Sequence, residues 1–140
     1  MDATDDTQQT KTALSQASRW AVTERPPVKT EIEFFNRSGV PGYAAQDDRV
    51  VLNPSPGAGV NMDAVRTNEA LRILMRKEDL PRPTFSLTNE QMKRFSGYGS
   101  EQDIRETIAA RIATGDPSVP GPTMEQKSFA KQLLGRFNAK

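Results

Sequence analysis

The chain has 140 residues, of which 35% are apolar, with a mean hydropathy of −0.67 and a formal net charge of +1. That length allows one domain and an appendage at most, the thin apolar content implies a small core of modest stability, and no apolar run is long enough to span a membrane. With neither cysteine nor histidine, the chain has no disulfides and lacks the usual zinc ligands.

Residues 1–60 carry six Lys/Arg against eight Asp/Glu, a net of −2, while residues 61–140 carry thirteen against ten, a net of +3. Neither half has the strongly basic balance of a dedicated DNA binder. The acidic, polar start Met1–Thr10 is not expected to act as a secretory signal, which needs a basic start and an apolar run.

In chain order, Thr7–Thr23 is compatible with one helix, with Leu14, Ala17 and Ala21 at helical spacing beside Trp20. Arg25-Pro26-Pro27 ends it, because the residue before proline avoids the α region. Glu31-Ile32-Glu33-Phe34 alternates with period two and predicts a half-exposed strand. Ser38-Gly39, Pro41-Gly42 and Asp47-Asp48 mark turns around Tyr43. Arg49-Val50-Val51-Leu52 is a second extended run, stopped by Asn53-Pro54-Ser55-Pro56-Gly57. Two strands this short make no stable sheet alone and suit pairing with a partner's edge.

From Met62 the signals are helical. A helix from about Met62 to Glu78 is capped by Asn61 or the loop before it, with Ala64, Val65, Leu71, Leu74 and Met75 inward and Pro81 and Pro83 beyond its end. Thr88-Asn89-Glu90-Gln91 is a capping box opening a short helix with Met92 and Phe95 that stops at Gly97. Ser100 opens the next helix, with Ile104, Ile108 and Ile112 four residues apart and Gly115 as its C-cap. Thr123-Met124-Glu125-Gln126 repeats the capping box before Phe129, Leu133, Leu134 and Phe137. The expected fold is therefore mainly α. A partner-binding arm over residues 1–60, extended and punctuated by proline and glycine, carries one possible helix and short strands. A small irregular four-helix bundle follows over residues 61–140.

Chemistry is sparse. Asn68-Glu69-Ala70-Leu71-Arg72 has the spacing of a zinc-peptidase helix with Asn and Arg at the ligand positions, so Glu69 and Arg72 read as an i, i+3 ion pair. Asp47-Asp48 is a turn pair, and no histidine is present to activate a serine or threonine. Pro56-Gly57-Ala58-Gly59 lacks the Gly-Lys-Ser/Thr of a phosphate loop. No catalytic residue, metal or cofactor is expected. Trp20, Ile32, Phe34, Phe35, Tyr43, Val50 and Leu52 are the expected partner-binding anchors of the arm. Arg72, Arg76, Lys77, Arg82, Lys93 and Arg94 form a possible basic patch for nucleic acid or an acidic protein surface. The basic run from Lys127 through Lys131 and Arg136 to Lys140 offers a similar face.

Arg49-Val50-Val51-Leu52-Asn53-Pro54, Asn68-Glu69-Ala70-Leu71-Arg72, Phe85-Ser86-Leu87-Thr88 with Gln91, and Ile108 to Ser118 with Thr123 and Gln126 after it resemble small proteins encoded in tailed-phage genomes. The resemblance covers about residues 49–134 and leaves out the acidic arm. These relatives look like accessory genes near the virion structural cluster of short-tailed phages. The resemblance implies a multi-copy virion protein, made in the host cytoplasm, with capsid, portal, neck or tail proteins as partners and no assigned catalytic role.

Overall fold

The computed structural model describes residues 13–140. It is mainly helical with one small sheet, and two compact units divide it, one running to Ile73 and the other from Leu74 to Lys140. The division falls inside a helix, some thirteen residues beyond the boundary expected from composition.

In the first unit, α1 is helical over residues 13–19. It ends in a Schellman motif, in which the Val22 N–H donates to the Ala17 carbonyl and the Ala21 N–H to the Ser18 carbonyl, both at 2.9 Å. Ala21 takes φ 61°, the left-handed region that favours glycine. The part of the expected helix before residue 13, and all of Met1–Thr10, lie outside the described residues.

After β1 (Glu24–Arg25) and the two prolines comes α2 (Lys29–Ser38). Here the structure corrects the expected strand over Glu31–Phe34, which is helical. The Glu31 carboxylate accepts from the Val28 N–H at 2.9 Å, satisfying one of the orphan amides of a helix start. Val28, Ile32 and Phe35 then recur at i, i+4 and i+7, a longer pattern than four alternating residues. Gly39 at φ 73° closes the helix, its N–H donating to the Phe35 carbonyl at 2.8 Å.

β2 (Gly42–Ala44) and β3 (Val50–Leu52) complete a sheet of order β1-β3-β2, with β3 parallel to β1 and antiparallel to β2. The central position of β3 buries both Val50 and Val51. Val51 joins Phe35 and Ala45 in an apolar cluster flanked by Val40 and Tyr43. Across its described residues, the expected arm is therefore folded on itself. Segments that look too short to stand alone stabilise one another once β3 lies between two strands. Gly42 is needed there, since a Cβ would lie 2.9 Å from Val65 Cγ1 and 3.2 Å from the Val51 carbonyl oxygen.

α3 (Met62–Arg76) starts at Asn61, whose Oδ1 accepts from the Ala64 N–H at 3.1 Å. It stops two residues short of the expected end. Glu78 turns left-handed at φ 65°, and the Asp79 N–H reaches back to the Leu74 carbonyl at 2.9 Å.

The second unit holds α4 (Asn89–Arg94), a 3₁₀ turn (Ser96–Tyr98), α5 (Glu101–Ala113) and α6 (Met124–Ala139). All three helices open as their sequences predict. Thr88, Ser100 and Thr123 accept from the N–H groups of Gln91, Asp103 and Gln126 at 3.1, 3.1 and 3.2 Å. α5 packs on α6, and Ile104, Ile108, Ala130, Leu133 and Phe137 are buried. Gly115 at φ 77° closes α5 as expected.

Candidate interaction surface

The prolines after β1 turn the chain so that Arg25 faces the start of α2. Its guanidinium grips Glu31 with two bonds of 2.8 and 2.9 Å, and its Nε donates to Asp47 at 2.9 Å. The Tyr43 hydroxyl also donates to Glu31. One carboxylate thus ties together β1, α2 and β2, while Asp47 adds the turn before β3. The Arg25 guanidinium holds the Glu31 carboxyl at about 2, helped by Tyr43 and the Val28 N–H and opposed by partial burial. Burial and the neighbouring Glu31 push the Tyr43 hydroxyl up. A second clamp, Arg66 Nε to Glu24 at 2.9 Å, holds β1 to α3 within the same unit.

This frame positions α2, which leaves apolar side chains exposed on two of its flanks. Val28, Ile32 and Phe34 are exposed by 56%, 39% and 36%, although large apolar side chains usually bury more. Phe34 is braced from behind, its ring centroid 5.8 Å from both Phe35 and Tyr43. Beside β1 runs a shallow open groove of about 340 Å³ lined by Glu24, Arg25, Pro26, Pro27 and Leu52.

Of the expected anchors, Ile32 and Phe34 are exposed, on different flanks of α2, while Trp20, Tyr43 and Leu52 are half-buried. Phe35 and Val50 are corrected. Both are 1% exposed, Phe35 because its helix register points it at Val51 and Val50 because it sits on the central strand. Neither reaches a partner without unfolding the unit.

Both sheet edges are poor acceptors for an added strand. The β1–β3 pairing turns the Glu24 carbonyl outward, where Arg49 Nη2 already donates to it at 3.1 Å. On the other side Gly42 and Ala44 point outward, Gly42 buried and Ala44 half-buried.

The expected basic patch does not stand as six open charges. Arg72, in the first unit, pairs with Glu69 at 3.1 Å, as its i, i+3 spacing predicts. In the second unit Lys77 meets Asp79 at 3.5 Å and Arg82 meets the buried Glu106 at 2.9 Å, which pushes Arg82 up. Arg76 is exposed in the last turn of α3. Lys93 and Arg94 are exposed on α4 and carry no ion pair among the described residues.

Sequence reasoning missed Val28, the Arg25–Glu31–Asp47 clamp and the pairing of Arg111 with Tyr98. Glu31, three residues after Val28, was the one local signal for the helix start; Arg25 and Asp47 are 22 residues apart and carry none. Among the described residues, no group of three acidic side chains is placed to hold a metal, and no helix is long and apolar enough to cross a membrane. Compared with known protein families, curated proteins and solved structures, the chain matches none.

Proposed function

We propose that the protein is a non-enzymatic component of a tailed-phage virion that binds capsid, portal, neck or tail proteins through its N-terminal half. The observation that carries this reading is that Ile32 and Phe34 stay exposed on two flanks of a helix pinned by the Arg25–Glu31 clamp. A braced, exposed aromatic such as Phe34 suits an interface anchor, because little side-chain freedom is lost on binding. The resemblance of residues 49–134 to short-tailed-phage accessory proteins supports the setting and a multi-copy role. The irregular four-helix bundle expected over residues 61–140 is part of the same proposal.

The test is mass spectrometry of purified particles from the encoding phage. The chain is expected among the particle proteins. Ile32→Asp with Phe34→Asp is expected to leave it folded by circular dichroism yet absent from particles. Absence of the unmodified chain, or full incorporation of the double variant, overturns the proposal.

A further inference from the structure

We propose that the second unit carries a binding surface for single-stranded nucleic acid on the segment Lys93–Ser100. This surface is separate from the α2 face and does not depend on the protein reading given for it. Every residue of the segment is exposed except Phe95, and none is acidic. Lys93 and Arg94 end α4 without a carboxylate partner among the described residues. α4 closes at its C-cap Phe95 and a 3₁₀ turn follows at once, so Tyr98 comes four residues after Arg94, with the Tyr98 N–H donating to the Phe95 carbonyl at 2.9 Å.

Tyr98 is the stacking element. It is 39% exposed, and its position is held from three directions. Phe95 meets it edge to face at 5.7 Å, the Arg111 guanidinium lies 5.6 Å from its ring centroid, and Arg111 Nη2 donates to its hydroxyl at 2.8 Å. Arg111 is itself fixed by Ser118 at 2.9 Å and by the Phe95 ring at 5.1 Å. A pre-positioned ring backed by a cation, with these two unpaired cations four and five residues before it in the chain, matches base stacking combined with backbone neutralisation. The flanking Gly97 leaves room, since nothing lies within 4 Å of where a Cβ would stand. The acids that follow the segment are engaged. Glu101 pairs with Arg105 at 3.6 Å, and Asp103 accepts from the Ser100 N–H at 3.1 Å. Glu90 lies one turn before Lys93 and Arg94 on α4 and forms no ion pair with either.

Fluorescence anisotropy of the full chain with a labelled oligothymidine of about 15 nucleotides tests this. Binding is expected at about 50 mM salt and should weaken roughly tenfold by about 200 mM, the loss for two or three phosphate contacts. Tyr98→Ala should weaken it about fivefold or more, whereas Tyr98→Phe, which keeps the ring, should retain it. Lys93→Gln with Arg94→Gln should flatten the salt dependence. No binding at the lower salt, tighter binding to a duplex of equal length, or affinity unchanged in Tyr98→Ala and in the double variant overturns the proposal. A Tyr98→Phe loss as large as that of Tyr98→Ala does so too, because stacking would then not be the interaction read.

Discussion

Gln91 and Gln126 exchange two hydrogen bonds, each amide donating to the other's carbonyl oxygen at 2.8 Å, and neither side chain is exposed to solvent. Each is also the third residue of its own capping box, accepting from the Thr88 or Thr123 N–H at 3.1 and 3.0 Å. Their remaining donors reach the Pro120 and Ser86 carbonyls at 3.1 and 3.0 Å. Two helix starts 35 residues apart thus share one fully satisfied buried pair. Replacing Gln91 or Gln126 with Ala strands several buried polar groups and is expected to cost about 2–4 kcal/mol in urea denaturation. The double replacement should cost less than the sum of the two, by about 1 kcal/mol or more. Strict additivity would show that the helix starts are independent.

Phe34 and Phe35 are adjacent yet have opposite roles. Phe35→Ala removes the centre of the Phe35–Ala45–Val51 cluster and is expected to cost about 3–4 kcal/mol. Phe34→Ala, on an exposed ring, should stay near 1 kcal/mol. Thermal melts of the two variants separate them; equal losses would mean that Phe34 is not available to a partner.

Three helix ends share one turn geometry with different residues. α1 and α3 place Ala21 and Glu78 at φ 61° and 65°, where α5 has Gly115 at φ 77°. A side chain in that region is strained by about 1 kcal/mol. Ala21→Gly and Glu78→Gly are each expected to raise stability by about 0.5–1 kcal/mol, and Gly115→Ala to lower it by about 1 kcal/mol. Differential scanning calorimetry reads all three; a lower melting temperature for Ala21→Gly would refute the strain.

The clamp at Glu31 makes a pH prediction. Its carboxyl titrates at about 2 in the fold against 4.5 ordinarily, so the unfolded chain takes up the proton first as pH falls. The clamp's contribution is present above about pH 4.5 and is lost towards pH 2. Glu31→Gln should therefore lower the melting temperature at pH 6 and make little difference near pH 2. An equal difference at both pH values would count against the ion pair.

The second unit was legible because its helix starts are written in local chemistry: Thr88, Ser100 and Thr123 each find their partner three residues on. The first unit was less so. Its sheet depends on Glu24 finding Val50, and its clamp on Arg25 finding Asp47, encounters that no window of sequence displays. α2 was misread because a four-residue alternation was weighed without Val28 before it and Phe35 after it. The same register error made Phe35 look like a surface residue, whereas Ile32 and Phe34 are exposed as their positions suggested. The ends of α1 and α3 were missed because the expected glycine is absent from both.

The order of strands in the small sheet also bears on when the protein can form. β1 is made first but pairs only with β3, and Glu24 must wait for Val50. Until then a growing chain holds a polar two-residue strand, two prolines and a helix whose buried ring has no Val51 to cover it. Contacts between distant residues close slowly, whereas the one-turn caps of α4 to α6 form within their own segments. The sheet of the first unit, although its first strand is synthesised earlier, is therefore expected to form after the local helices of the second, and refolding followed at the Phe35–Val51 contact should lag behind helix formation there.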